Sequence, residues 1–529
     1  MADSITRQIF HHLFSSVAEE MGVRLQRAAF SSNIKERCDF SCALFDSRGR
    51  LVAHAAHIPV HLGAMPLSVK TCVDTMSFSP GDSVILNDPF QGGTHLPDVT
   101  MVSPIFTRPD DEGSLVGYVA NRAHHADIGG ISPGSMPIAQ EIYQEGVIIP
   151  PIKLQVGGSY NHDLLRLLLA NVRTPEEREG DFQAQMAANR TGLCRMQELV
   201  TRYGQSVIEY QMGELIQYSE TMMKIRIGQL PDGVYRFEDW LDGDGVKDEP
   251  IGIQVAITIQ GEHVEVDFTG TSPQQKGSVN AVYAVTVSAV AYVFQCLLGE
   301  DIPSNEGTLA PITVVAPLGS VVNAQSPAAV AAGNVETSQR LVDVLLGALS
   351  QACPDQVPAA SQGTMNNLAL GGWDGQRGRH YAYYETIGGG VGAGKGYVGS
   401  PAMHSHMTNT MNTPIEALEY DYPLRVTHYG IRRGSGGKGQ FDGGDGICRE
   451  IEFLQGGQAT ILSERRRFAP YGLRGGDSAQ KGQNFLIRNQ QETEIPEKVT
   501  LDLLPGDRLR METPGGGGYG PLNANLDSQ

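Results

Sequence analysis

Apolar residues recur at every fourth position through the first turns of the chain: Ile5, Ile9, Leu13, Val17 and Met21, with Phe10 beside them. That spacing holds side chains near one face of an α-helix and predicts one over the first thirty residues. Asp3 or Ser4 can cap it. The pattern then shortens. Apolar runs at 40–45 and 51–53 flank the turn residues Asp46-Ser47-Arg48-Gly49 and predict strand, turn, strand. A helix is predicted over 62–76, with Pro66 near its first turn, where its missing N–H is tolerated. Strands are predicted over 83–86, 99–106 and 115–119, and mostly helix over 159–210. From about residue 228 the alternation of 233–237, 253–259 and 264–268 predicts strands. Helices are expected over about 278–298 and 336–351. Beyond residue 412 the chain is Gly-rich and strand-like.

Neither an internal repeat nor a long linker interrupts this order. The expected class is α+β, multi-lobed: an N-terminal α/β lobe over 1–227, a central α+β lobe over 228–411 and a Gly-rich β lobe over 412–529. The stretch 281–298 is the longest apolar run. Thr286, Ser288 and Gln295 interrupt it, which fits a buried helix better than a membrane span.

Composition narrows the function classes. Lys and Arg number 40 against 59 Asp and Glu, a formal charge of −19, and so acidic a surface repels nucleic-acid phosphates. Seven scattered cysteines form neither a disulfide framework nor a zinc site, because no second pair accompanies Cys38 and Cys42. Together with a start that lacks a basic segment and a continuous apolar run, they predict free thiols, no signal peptide and a cytoplasmic setting. The 63 glycines among 529 residues exceed the usual share of about 7%. They predict many tight turns and close backbone approaches. The last of them, in 513–520, fit either a flexible end or a close-packed segment.

Two loops carry the densest chemistry. One runs Asn87-Asp88-Pro89-Phe90-Gln91-Gly92-Gly93-Thr94-His95-Leu96-Pro97-Asp98. The other runs Asn121-Arg122-Ala123-His124-His125-Ala126-Asp127-Ile128-Gly129-Gly130. Each holds His-x-x-Asp beside glycines at a strand end. Imidazole nitrogen and carboxylate oxygen with open positions suit zinc, manganese or ferrous iron. The same residues could also be polar turn residues that cap strands. Asp39 precedes a predicted strand and could be a third carboxylate, a general base, an ion-pair partner of Arg37 or a turn cap. His54, His57 and His61 cluster near Pro59 and Gly63 and line a pocket at most.

Two further segments imitate known sites. Gly389 to Gly396 nearly matches a phosphate-binding loop. It has Gly396 where Ser or Thr should follow the lysine, and no helix start after it, so it reads as a Gly-rich turn. The basic segment Arg432 to Gly439 adjoins Asp442 and Asp445 and reads as a substrate or intersubunit loop rather than a nucleic-acid patch.

Several stretches are familiar as a set: Glu36-Arg37-x-Asp39-Phe40-Ser41, Asn87-Asp88-Pro89, Gly93-Thr94-His95-x-x-Asp98, His124-x-x-Asp127-Ile128-Gly129-Gly130, Glu179-x-Asp181 with Asn189, Pro303-x-Asn305-x-Gly307 and Thr513-Pro514-Gly515-Gly516-Gly517. With them the chain resembles the B subunit of the hydantoinase/5-oxoprolinase family, which is similar to the alpha subunits of acetone and acetophenone carboxylases. It departs from the family pattern at Gly434 and Asp442, where Asp and Arg are usual.

The resemblance implies one subunit of an ATP-dependent cyclic amide hydrolase acting on a hydantoin, 5-oxoproline or another lactam. A larger, hydantoinase A-like ATPase partner would bind ATP and magnesium, in a heterotetramer of two and two. It implies a divalent transition metal (zinc, manganese or iron) on His95, Asp98 and His124, with His125 near it and Asp39 and Asp127 as catalytic carboxylates. An alternative is a subunit of an ATP-dependent ketone carboxylase, and a second is a non-catalytic structural subunit. Phosphorylation of the carbonyl oxygen would make a resonance-stabilised ring amide electrophilic, after which this subunit would complete ring opening.

Overall fold

A computed structural model describes residues 4–55, 58–108, 113–299 and 302–522. Helices and several sheets are mixed along the chain, and the first sheet sets the site. It has seven strands: β1 (Phe40–Asp46), β2 (Leu51–His54), β3 (Ser83–Leu86), β4 (Asp98–Phe106), β5 (Leu115–His124), β6 (Ile152–Val156) and β7 (Ser159–Tyr160). Their order is β2-β1-β5-β4-β3-β6-β7, and every neighbouring pair is antiparallel.

Successive side chains of β1 go to opposite faces, as the strand period requires. Cys42 and Leu44 join a core with Phe14, Met21 and Met212, whereas Ala43 and Phe45 join one with Met65 and Val69. Both faces of β1, β4 and β5 are therefore buried. The helices Ser4–Ala28 and Pro175–Tyr203 cover one face, and Ala64–Thr75 covers the other.

The N-terminal helix corrects the expected stripe. Ile5 and Ile9 are exposed, and the buried line runs through Phe10, Phe14, Val17, Met21 and Leu25. A repeat of four slips about 40° per step around a helix of 3.6 residues per turn, so Ile5 and Ile9 have rotated off the face that Met21 buries.

The second sheet holds Gly233–Leu241, Ile251–Gln260, His263–Asp267 and Ile312–Val315. Ile253, Val255, Ile257 and Ile259 point to one core, shared with the helices Tyr283–Leu298 and Ser338–Ala352. Two polar residues of the apolar run are satisfied inside: Thr286 donates to the Val322 carbonyl at 2.6 Å, and Ser288 donates to that of Ala284 at 3.0 Å. Among the described residues no helix is long and apolar enough to cross a membrane.

The division expected at 227/228 falls between the helix Gln205–Ile227 and the strand Gly233–Leu241. The one expected at 411/412 does not separate two units. Asn367–Asp374 and Arg379–Glu385 form one sheet with Gly457–Leu462 and Lys498–Leu503, so strands from both sides of that position pair. The remaining five strands lie between 424 and 512 in a sheet of their own.

The Gly-rich end is close-packed. Gly516 donates to the Gly444 carbonyl at 2.9 Å and accepts from the Gly437 amide at 2.9 Å. The phosphate-loop look-alike serves this packing: Gly390 donates to the Pro514 carbonyl (3.0 Å) and Ala393 to that of Gly517 (2.9 Å). Those amides are spent on the tail. Arg432 is likewise tied in, by an ion pair to Glu512 at 3.1 Å.

Candidate metal centre

Strand register assembles the site. In the antiparallel pair β4–β5, Asp98 lies opposite His124. On the other side of β5, the His124 amide donates to the Asp39 carbonyl at 3.0 Å, one residue before β1 begins. Three strand ends therefore bring Asp98, His124 and Asp39 to the same edge of the sheet. His95 arrives through the turn before β4, closed by the Asp98 amide on the His95 carbonyl at 3.1 Å. Asn87 fixes that loop, donating to the carbonyls of Leu96 and Val147 and accepting from the Ile149 amide.

His95 Nε2, Asp98 Oδ1 and His124 Nδ1 form a triangle with all three sides 3.2 Å. The three residues are essentially solvent-free. Among the described residues they are the one set of three His, Cys, Asp or Glu that converges in this way.

The surroundings determine what those atoms can be. His95 Nδ1 lies 3.3 Å from the Ala331 carbonyl. An acceptor there keeps the proton on Nδ1 and leaves Nε2 as a lone pair facing the triangle. Asp98 Oδ2 is held by the Thr94 hydroxyl at 2.6 Å, by Asn334 at 3.3 Å and by His61 Nε2 at 3.4 Å, which leaves Oδ1 for the triangle. The His124 ring stacks on Tyr384 at 4.5 Å with 14° between planes. Its Nε2 is buried without a protein partner.

Burial pushes the His124 and His61 imidazoles below their ordinary range. Burial alone would raise Asp98, but the imidazoles of His95, His124 and His61 hold its carboxyl well below the usual range. A metal requires its carboxylate ligand ionised and its imidazole ligands deprotonated at the bonding nitrogen. Three donors at this separation fit ligands about 2.0–2.2 Å from one common centre.

Beside the triangle is a cavity of about 20 Å³, lined by Asp39, His61, Asp98, His124, Tyr384 and three threonines. By volume it accommodates about one water. Asp39 is buried, with its carboxylate 3.8 Å from Arg37 Nη1, a loose contact. Arg37 is committed elsewhere, to the Tyr384 carbonyl at 2.9 Å and the Thr386 hydroxyl at 3.0 Å.

Asp127 is not brought to this cavity, which corrects the catalytic part expected of it. Its carboxylate accepts from the Arg173 guanidinium and the Arg173 amide, both at 2.8 Å, and fixes the loop after β5. His125 also stays apart, bonded to Gln185 at 3.0 Å and packed on Phe182. His61 was placed only as a pocket wall from the sequence, yet it reaches Asp98. Its Nδ1 bonds Ser41 Oγ at 2.8 Å, and Ser41 Oγ accepts from the Ile58 amide at 3.2 Å. His57 lies outside the described residues.

The family profile described as Hydantoinase B/oxoprolinase matches residues 3–522. The chain is 40% identical over 552 residues to 5-oxoprolinase 1 of Arabidopsis thaliana, covering 98% of itself and 42% of that relative, so it spans about two-fifths of that protein's length. It superposes on an ATP-dependent caprolactamase from Pseudomonas jessenii with a TM-score of 0.90 at 29% identity, covering 98% of this chain and 92% of that one. Acetone carboxylase in its nucleotide-free form gives a TM-score of 0.89 at 19% identity, over 100% and 76% of the two chains, a likeness of fold.

Proposed function

The chain belongs to the hydantoinase B/oxoprolinase family, and from that premise we propose that it is the metal-containing, ring-opening subunit of an ATP-dependent cyclic amide hydrolase. The observation that carries this reading is the buried 3.2 Å triangle of His95 Nε2, Asp98 Oδ1 and His124 Nδ1. A divalent transition metal (zinc, manganese or iron) on those three atoms would act as a Lewis acid and lower the pKa of a water towards about 7.

The chain's own residues supply the rest. Asp39 sits on the wall of the one-water cavity, where its carboxylate can take a proton from a water nucleophile. Tyr384 holds the His124 ring by stacking. The buried walls exclude bulk solvent, so an activated amide is attacked by one positioned water.

Activation by ATP and magnesium belongs to a larger hydantoinase A-like subunit, in a complex of two and two. Two observations support this division. The amides of the phosphate-loop look-alike are occupied within the protein, those of Gly390 and Ala393 by the C-terminal tail and those of Gly389 and Val391 by the carbonyls of Met403 and Ser400, and 5-oxoprolinase 1 extends well beyond the part this chain matches.

Single-turnover measurements on the co-expressed complex test the proposal. With Asp98→Ala, ADP forms but ring-opened product does not. Loss of ADP formation with assembly and ATP binding intact would move the metal to the activation step and overturn the division of labour.

A further inference from the structure

A second cavity, of about 220 Å³, lies behind His61 and Ile58, which line both it and the metal cavity. The segment Thr408-Asn409-Thr410 also runs along both, with Asn409 on the larger cavity and the two threonines on the smaller. At about 220 Å³ against about 20 Å³ for the one-water cavity, the larger cavity has room for a small ring. A five- to seven-membered ring amide, with its carbonyl oxygen, has six to eight heavy atoms.

The walls define the chemistry of an occupant. Leu51, Ile58, Leu62 and Met65 supply apolar surface, and the polar lining is limited to Ser41, His54, His61 and Asn409. Among the described residues no Lys, Arg, Asp or Glu lines it. A carboxylate there would be desolvated without a cation to pair with, which disfavours its binding. Ser41 and His61 are already bonded to each other. His54 differs: its Nδ1 lies 2.7 Å from the Ala55 carbonyl, which keeps the proton on that nitrogen, and its Nε2 is buried with no partner. That lone pair matches the N–H of a ring amide.

We infer that this cavity is the ring-binding subsite of the metal centre and that it selects an uncharged lactam over one bearing a carboxylate. The inference rests on the hydrolase reading above, which by itself leaves the choice of ring open. The ring occupies the apolar space, His54 Nε2 accepts its N–H, and its carbonyl edge faces the wall of His61 and Ile58 that the cavity shares with the metal centre.

The test is ligand-observed NMR titration of the full chain with two probes, ε-caprolactam and 5-oxoproline, at one pH. Caprolactam is expected to bind at least ten-fold more tightly. Leu62→Trp, which fills the cavity, abolishes that binding with metal content unchanged, and Leu62→Arg shifts the preference towards 5-oxoproline. Equal or tighter binding of 5-oxoproline to the unaltered chain overturns the inference. So does binding of neither ring, or caprolactam binding that ignores both Leu62 variants. Should a variant fail to fold by circular dichroism, the ratio for the unaltered chain decides alone. No turnover enters these readouts. An inactive complex that still binds caprolactam at this site sinks the hydrolase reading and leaves the subsite, and an active complex that prefers 5-oxoproline does the reverse.

Discussion

The carbonyl oxygen of Ala331 lies 3.3 Å from Nδ1 of His95, although 236 residues separate them in the chain. That contact sets the imidazole tautomer and aims a lone pair at Asp98 and His124. The carbonyl is held in turn, because Glu145 Oε1 accepts from the amides of Val330 at 2.8 Å and Ala331 at 2.9 Å. A carboxyl on a distant loop thus orients a metal-site imidazole through one residue, Ala331.

Glu145→Ala should therefore weaken metal binding by about 10–100-fold, the usual cost of losing a group that orients a ligand. Burial pushes the Glu145 carboxyl up to about 8, so it is neutral at pH 7. Glu145→Gln keeps both the acceptor and the lack of charge and should bind metal almost as the unaltered chain does. Competition titrations with a chelating dye measure both variants.

His95→Ala should leave the fold intact and the metal absent. Elemental analysis of the purified chain is expected to give one transition metal per chain before the substitution and a small fraction of that after it. Circular dichroism reports the fold. Undiminished metal in this variant would remove His95 from the ligand set.

A local signal, His-x-x-Asp beside glycines at strand ends, marked the two loops, and the resemblance to the family singled out His95, Asp98 and His124 within them. The same signal misled at Asp127. The two loops look alike in sequence, but Asp98 opens β4 directly opposite His124, whereas Asp127 lies three residues past the end of β5, where Arg173 takes it. His61 was underrated because its partners Ser41 and Asp98 lie 20 and 37 positions away, and nothing local marks them. Tyr384 and Ala331 come from beyond residue 330, and no periodicity announces such a contact. The boundary expected at 412 failed for a related reason: a change of composition does not reveal that strands on either side of it pair.

The contribution of Glu336 to stability should fall as pH rises from about 5 to about 8. Burial, with Glu464 nearby, raises the Glu336 carboxyl from its ordinary 4.5 to about 8. A group that prefers its neutral form in the folded chain contributes in full below its unfolded pKa, and that contribution is lost as pH rises through the folded value. Glu336→Gln preserves an acceptor for the Met365 amide and the Asn367 side chain. It should flatten this part of the pH profile by a few kcal/mol, at about 1.4 kcal/mol per pH unit. Urea midpoints at pH 5 and pH 8 for both chains give the comparison.

Lys395→Ala should leave ATP turnover of the assembled complex within about two-fold, the scale of an exposed ion pair's worth. Lys395 is exposed and pairs with the equally exposed Asp355 at 2.5 Å. The purified single chain should show no ATP hydrolysis. Robust turnover abolished by this substitution would restore the segment as a nucleotide site.

Two glycine substitutions should move stability in opposite directions. Gly516 lies in the tail between the Gly444 carbonyl and the Gly437 amide, and a Cβ there would overlap the carbonyl oxygen of Val391. Neither the tail nor the 389–396 segment can retreat without breaking the hydrogen bonds that join them. Gly516→Ala should destabilise the chain by about 3 kcal/mol or more, the range of severe overpacking. Gly213 is the contrast. It sits inside the helix Gln205–Ile227, with nothing within 4 Å of the position a Cβ would take. Gly213→Ala removes backbone freedom from the unfolded chain and should stabilise by about 0.5–1 kcal/mol. Denaturant midpoints at constant slope measure both. A tolerated Gly516→Ala would mean that the tail is not locked against the 389–396 segment, whose Gly390 and Ala393 amides would then be free to meet a ligand.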